Sequence, residues 1–520
     1  MSLARDVTTV GTATLLSRLL GFFRDMGIAA VLGAGVLSDA YFAALQIPNL
    51  FRRLLAEGAL NSAFVPVWLR ISEERGVQRA RRFGERVLGT MALALGGIAL
   101  ICIVFAPAVV HLLVPGFHSD GDRFVFAVQF VRLSVPYVAI AGVVAVAASM
   151  LNAQGRVGAA AFALVVFNGV FVAALALIIL AGGKASFFVG AALSVAIVVA
   201  GLAQLVMVGA ALMRQEVRPR RISPRASPEV RRFFAQAIPG VVAGGIPQLK
   251  LMAGAMVASS SQAAVSWLYY ANRLYELPLG VVSIAVAAVI VPVIAASVRA
   301  REDAAIAGAQ SRAFEIALGL ALPSAAAFAV LATPIAGGLF ERGAFGPHDT
   351  AMVAAALAAI SAGLPGHVLE KVLGAVSFAH EDTRTPMLTA LAGLTAAIIG
   401  ALALFPGHGH VGVAAAIAMS GWVGATTLAV VLWRRGWLKL DRAARRRLPR
   451  IVLATVIMAA AILGARHLIA SAFATTDTAF ARIVILAILV AAGLAVYLAA
   501  IELLGVARLG ELRAAMRERR

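Results

Sequence analysis

The sequence predicts an all-α polytopic membrane protein of about 14 transmembrane helices, built as two six-helix lobes related by pseudo-twofold symmetry plus two C-terminal helices. Three observations predict it. The 520 residues are 61% hydrophobic and only 13% charged, too little charge for a soluble chain of this length. Apolar runs of roughly 20 residues, enough to cross a hydrocarbon core as a helix, recur from end to end. The Lys and Arg residues fall on alternate connections between those runs. Lipid supplies no hydrogen-bond partner, so each run must satisfy its own backbone as a helix. The alternating ten-residue pattern of a membrane β-barrel is absent from the sequence.

Hydropathy places the spans at roughly 7–31, 36–60, 87–114, 124–151, 158–182, 186–213, 233–258, 265–296, 311–336, 349–378, 386–406, 411–433, 451–472 and 480–506. The longest connections are basic segments near 70–86, 214–232 and 434–450. Numbered alternately, one set of connections and tails holds 32 Lys and Arg, and the other holds only Arg123, Lys184 and Arg342. That asymmetry is the positive-inside rule acting on an even number of spans, so both termini are expected in the cytoplasm. The net charge of +20 is thereby read as loops resting on anionic lipid headgroups, with no nucleic-acid partner. Arg18 and Arg24 inside the first apolar stretch, with no small-residue cleavage site, mark a retained helix rather than a signal peptide. Cys102 is the only cysteine, which excludes a disulfide framework and a cysteine-based metal site.

Duplication is visible. Ser149 to Arg156 and Ser377 to Arg384 share one Ser…Arg spacing at an offset of 228, each preceded by a proline, Pro136 or Pro365. Gln46-Ile47-Pro48 and Glu276-Leu277-Pro278 repeat at 230. Two matches at a common offset point to an internal repeat, and an even helix count gives both copies one orientation, with substrate expected between the lobes. The expected organisation is a lobe over 1–213, a basic linker over 214–232, a second lobe over 233–433, a basic loop over 434–450, two extra helices over 451–506 and a basic tail over 507–520.

Ten basic residues remain within or near spans, where each charge near a helix centre costs roughly 2.5–3.5 kcal/mol on insertion scales. Arg132, Arg466 and Arg482 are near enough to an interface to snorkel. Arg18 lies deep in its helix with Asp25 on its face seven residues on, and Arg24 lies on another face with Ser17 and Gly21. Arg53 has Glu57 four residues later, which leaves Arg52 to face a cavity, and Arg273 pairs with Glu276 at i,i+3. Five arginines (Arg18, Arg24, Arg52, Arg53, Arg273) against Asp25, Asp39, Glu57 and Glu276 leave a small cationic surplus that an anion could neutralise. Interhelical salt bridges locking a bundle are the alternative reading. Arginine at all five sites suits bidentate recognition of phosphate oxygens.

The segments Ser17-Arg-Leu-Leu-Gly-Phe-Phe-Arg-Asp25, Gly33-Ala-Gly35, Ser38-Asp-Ala-Tyr-Phe42, Ile47 to Gly58, Ala63-Phe-Val-Pro66, Val265 to Pro278 and Asp382-Thr-Arg-Thr-Pro386 carry a resemblance to the MurJ (MviN) lipid II flippases. These belong to the multidrug/oligosaccharidyl-lipid/polysaccharide exporter superfamily. The resemblance implies a 14-helix fold, alternating access and a cationic central cavity for a diphosphate-sugar headgroup, in service of peptidoglycan synthesis, cell-wall biogenesis and cell shape. It places Arg18, Arg24, Asp39, Arg52, Arg273 and Glu276 at positions the family uses for substrate, with Asp25, Arg53 and Glu57 as supporting cavity charges. Asn272 stands where many members have Asp. Met252, Ala253 and Gly254, with Lys250 nearby, stand where polar ligands would be expected for the monovalent-cation site that some members carry.

No chemistry on the substrate is expected: there is no catalytic residue, no cofactor, no metal and no Walker-type phosphate loop, so a transporter and not an enzyme is encoded. The energy source is left open between an ion gradient, the membrane potential and substrate supply. His408 and His410, in Pro406-Gly-His-Gly-His410, read as a Gly-rich external turn rather than a metal pair. A drug or organic-cation antiporter of the same superfamily would need unpaired carboxylates in its cavity, and a flippase for another polyprenyl-linked glycan differs only in the family motifs.

Overall fold

A computed structural model describes residues 3–56, 59–225, 227–286, 290–300, 302–468 and 479–506. Glu57 and the basic tail from 507 lie outside the described residues. The chain divides into two compact units, residues 1–266 with 343–345, and residues 267–342 with 346–520.

The first unit contains α1 (Leu3–Leu32), α2 (Val36–Ala56), α3 (Ala59–Arg75), α4 (Val77–Val104), α5 (Ala106–Leu113), α6 (Asp122–Ser134), α7 (Pro136–Ala153), α8 (Val157–Leu180), α9 (Phe187–Met213), α10 (Pro228–Ala258) and the opening residues of α11 (Ala264–Ala285). The rest of α11 lies in the second unit, with α12 (Val291–Ala300), α13 (Asp303–Val330), α14 (Ala332–Phe340), α15 (Pro347–Ser361), α16 (Leu364–Ala379), α17 (Arg384–Arg434), α18 (Arg442–Leu468) and α19 (Ala479–Leu503). No strand occurs among the described residues.

Among the described residues nine stretches are long and apolar enough to cross a membrane. The 51-residue α17 is one of them, and it is broken at Gly409, whose φ of 55° and ψ of −140° leave the helical region. Outside the nine lie α1, α2, α10 and α11, the helices that carry Arg24, Arg52, Lys250 and Arg273. Fourteen crossings are consistent with these elements.

Prolines set the breaks. Pro107 starts α5, Pro136 starts α7, Pro347 starts α15 and Pro365 opens α16, each where its missing N–H costs no helical hydrogen bond. The interruptions recur in register: the breaks after Val104 and Val330 are 226 positions apart. The helix order of the first copy is thus repeated in the second.

The segment 70–86, expected as a loop, is helical. Phe64, Trp68 and Ile71 on α3, and Ala80 and Phe83 on α4, are buried at helical spacing within each helix, while Arg70, Arg75, Arg79 and Arg82 face outward. Phe64, Phe83 and Phe233 meet with ring centroids 5.3–5.9 Å apart, which packs α3, α4 and α10 together. Glu85 on α4, buried beside Arg81, accepts the backbone N–H groups of Arg220 and Arg221 at 2.6 and 3.2 Å. The basic linker 214–232 is therefore fastened to α4. The loop 434–450 is also partly helical, since α18 begins at Arg442.

His410 is no exposed turn. It is buried, its Nε2 lies 3.0 Å from the Met352 carbonyl, and its ring packs 4.8 Å from Trp267. Arg482, expected to snorkel, instead pairs with Glu341 at 2.6 Å, and Thr350 donates to the other carboxylate oxygen at 2.7 Å. Arg466 donates to the Val330 carbonyl at 2.8 Å. Together with the Tyr497 hydroxyl on the Gly319 carbonyl at 2.7 Å, these contacts fix α18 and α19 against α13 and α14.

Candidate functional site

In the first unit the polar residues of α1 converge on one side chain of α8. Asn168 donates to the Ser17 carbonyl and hydroxyl at 3.0 and 3.1 Å and accepts from Arg24 Nη1 at 3.1 Å. Gly21 faces the same side chain: a Cβ there would lie 3.5 Å from the Asn168 amide, in ordinary contact. Small and polar residues at this spacing give membrane helices both close approach and an interhelical hydrogen bond.

The Arg24 guanidinium lies 5.7 Å from the Phe171 ring centre and donates from Nε and Nη2 to Asp25 at 3.1 and 2.9 Å. Arg24 is 9% exposed and Asp25 1%. Sequence spacing placed Asp25 on the face of Arg18. The long guanidinium of Arg24 instead folds back along α1, held by Asn168 and Phe171, and takes the carboxylate. Arg18 is exposed. Arg52 and Arg53 are half-buried near the end of α2, and Arg52 and Arg24 both act electrostatically on the buried Tyr137 hydroxyl. Arg24 and Arg52 therefore share a neighbourhood. The expected Arg53–Glu57 pair lies outside the described residues.

Asp39 is fully buried and serves another purpose. Its carboxylate accepts from the Ala263 N–H at 2.7 Å, the Ser266 N–H at 3.0 Å and the Ser266 hydroxyl at 2.6 Å. The Arg123 guanidinium stands 3.7 Å away and donates to the Ser259 and Ser261 carbonyls. Asp39 thus closes the turn 259–266 and caps the start of α11. Nothing in the local sequence around Asp39 points to a turn more than 200 positions later.

In the second unit Arg273 donates to Glu276 Oε2 at 3.0 Å, as the i,i+3 spacing requires, and Asn272 donates to Oε1 at 3.0 Å. Both side chains of the ion pair are about one-fifth exposed. Asn272 therefore supports Glu276 where an Asp would repel it.

Residues absent from the sequence-based site join this region. The Tyr275 hydroxyl lies 2.7 Å from His367 Nδ1, and Glu370 and Glu276 both act electrostatically on Tyr275. The available signal was the His367, Glu370, Lys371 grouping inside an apolar helix. Among the described residues no group of His, Cys, Asp and Glu is arranged to hold a metal ion.

A two-copy bundle of apolar helices, with arginine–carboxylate pairs on helices that could otherwise be wholly apolar, defines a polytopic membrane transporter. Comparison with known proteins makes this specific. The family model for "Lipid II flippase MurJ" matches residues 28–485, and the chain belongs to that family. It is 41% identical over 515 residues to the "Probable lipid II flippase MurJ" of Rhizobium meliloti (strain 1021), covering 99% of this chain and 96% of that one. Its fold is similar to that of a solved lipid II flippase MurJ in an inward closed conformation, with TM-score 0.78 and 23% identity over 95% of this chain and 98% of the other. An inward-facing multidrug resistance MATE family transporter of the MOP superfamily shares the fold at TM-score 0.64 and 15% identity, over 81% and 94% of the two chains.

Proposed function

We propose that this chain is a lipid II flippase of the bacterial cytoplasmic membrane, moving undecaprenyl-diphosphate-linked peptidoglycan precursor from the cytoplasmic to the periplasmic leaflet by alternating access through a cationic central cavity. The observation that carries the reading is arginine on α1, α2 and α11, with Arg24 and Arg273 each paired to a neighbouring carboxylate. A diphosphate cannot cross a low-dielectric layer unaided. Guanidinium forks replace part of its hydration with bidentate hydrogen bonds.

Arg18, exposed on α1, and Arg52 on α2 are the first-unit residues assigned to the diphosphate, with Arg24 and Arg53 beside them. Arg273 and Glu276 contribute from α11. Asp39 is reassigned from substrate contact to positioning, because its oxygens are committed to the turn 259–266. The lobes over 1–213 and 233–433 follow the duplication, whereas α10 packs with α2 and α3 in the first compact unit. Cytoplasmic termini follow from the basic connections, which rest on anionic lipid. The pair α18 and α19 is assigned to the polyprenyl tail, and Ala460 and Ala461 on α18 are exposed.

The test is depletion in cells together with reconstitution. Lipid II should accumulate on the cytoplasmic leaflet when the protein is withdrawn, and vesicles containing it should expose added lipid II on the opposite leaflet. Vesicles that bind lipid II but never translocate it would sink the reading. Transport of organic cations in its place would favour the antiporter.

A further inference from the structure

His367 and Glu370 lie one helical turn apart on α16, and α17 is shaped to receive them. Gly421 and Gly424 repeat the same i,i+3 spacing on the facing helix. A Cβ at Gly421 would fall 2.5 Å from His367 Nδ1, and one at Gly424 would fall 2.9 Å from the Glu370 carboxyl group. His367 Nδ1 lies between two groups of different character: the Tyr275 hydroxyl at 2.7 Å and the Gly363 carbonyl at 3.1 Å. The carbonyl can only accept. The hydroxyl can donate or accept. Without a proton, Nδ1 accepts from Tyr275; with one, it donates to Gly363. Both protonation states therefore have a hydrogen-bond partner at one ring position, and Glu370 lies one helical turn further along α16.

The first copy shows that the fold does not require these groups. There the first turn of α7 places Tyr137 over Gly201, where a Cβ would lie 2.5 Å from the phenol ring, just as His367 lies over Gly421. The rest of α7 carries no His, Asp, Glu, Lys or Arg. The second copy has a titratable ring in the same packing role, with Glu370 and Lys371 added after it.

We propose that His367, with Glu370 and Tyr275, is a proton-binding site, and that its occupancy couples proton movement to the transport cycle. The proton taken from solvent adds to the imidazole nitrogen lone pair and leaves by the reverse step. The proposal rests on the flippase reading for the word transport, but the proton site stands on the geometry. Tyr275 of α11 meets the ring, and Glu276 with its partner Arg273 lies on the same helix; Glu370 and Lys371 follow His367 on α16, and Gly421 of α17 lies against the ring. The charged residues of the other packed helices are Arg299 on α12 and Asp303, Arg312 and Glu315 on α13, and Glu315 pairs with Arg447.

The test uses full-length protein with isotope-labelled histidine in lipid nanodiscs. Eight histidines are present, and His367→Asn identifies the signal of interest. The His367 ring signal should report a protonation step as pH is varied. Lipid II translocation in vesicles should show a limb with the same midpoint. Glu370→Gln should displace both midpoints together. If Glu370→Gln does not fold, Tyr275→Phe should displace the same two midpoints together. A His367 signal that does not titrate, or a midpoint that moves while the transport limb stays, overturns the proposal. If wild-type vesicles move no lipid II while the His367 signal titrates and responds to Glu370→Gln, the proton site is supported and the flippase reading fails.

Discussion

The two units hold their arginine–carboxylate pairs in different surroundings. In the first, Arg24 and Asp25 are nearly sealed from solvent and joined to α8 through Asn168 and Phe171. In the second, Arg273 and Glu276 share one helix, are about one-fifth exposed, and are braced by Asn272. The difference teaches that arginine in a membrane helix can bind two helices together, remain available to a ligand, or do both. Burial and partners decide which.

Two substitutions break the comparison if it is wrong. Arg24→Ala leaves Asp25 buried without its cation, and removing one partner of a buried pair costs about 3–5 kcal/mol. Arg273→Ala opens a pair with partial solvent access, where the loss is about 1 kcal/mol or less. Both variants should lose lipid II transport. Only Arg24→Ala should also melt markedly earlier in detergent, and Arg24→Ala with Asp25→Asn should recover much of that stability without recovering transport. Equal melting temperatures for the two single variants would mean that burial does not separate the roles.

A smaller effect sharpens the same contrast among the acids. Asp39→Ala removes the acceptor for the Ala263 and Ser266 N–H groups, and losing such a cap costs about 1–2 kcal/mol. Amide hydrogen exchange at Ala263 and Ser266 should speed up, while the amides around Arg273 keep their protection. Glu276→Ala should leave the turn 259–266 unchanged. Faster exchange throughout α11 in Asp39→Ala would argue against a local cap.

The membrane class and the all-helical architecture were legible because hydrophobic length is a property of contiguous sequence. The duplication was legible from Ser149/Ser377 and Gln46/Glu276, and the helix breaks repeat at nearly the same offset. The pairing of Asp25 was not. Helical spacing places residues i and i+1 on different faces, and Asn168 and Phe171, contributed by α8, hold the Arg24 side chain where it turns back onto its neighbour. Asn168 itself is a lone amide in an apolar run, a signal that could have been used. The helical character of 70–86 was hidden because its charges dominate an average, although Phe64, Trp68 and Ile71, and after the Gly76 break Ala80 and Phe83, already follow the helical period. Asp39 resembled a cavity acid because its partners belong to a distant turn.

The smallest expected effect concerns pH, and it too compares the copies. In the second, the connection between α16 and α17 contains Asp382, which accepts from the Arg384 and Thr385 N–H groups at 3.0 Å each and pairs with Arg435. In the first, the residue 228 positions earlier is Gln154, whose amide donates to the Met150 carbonyl at 3.0 Å and carries no charge. Burial pushes the Asp382 carboxyl up, but the Thr385 hydrogen bonds and the Arg435 guanidinium outweigh it and bring the pKa down from 3.8 to about 2. A carboxylate depressed in the folded state adds stability that is fully present above its unfolded pKa and disappears as pH falls through the folded value. The contribution should therefore be intact at neutral pH, begin to fade below about pH 4, and be gone near pH 2. Melting temperatures of wild type and Asp382→Asn should differ at pH 7 and converge on acidification, whereas Gln154→Ala should shift the curve equally at every pH. Parallel curves for wild type and Asp382→Asn would show that Asp382 contributes no charge-dependent stability, leaving the connections of the two copies equivalent in that respect.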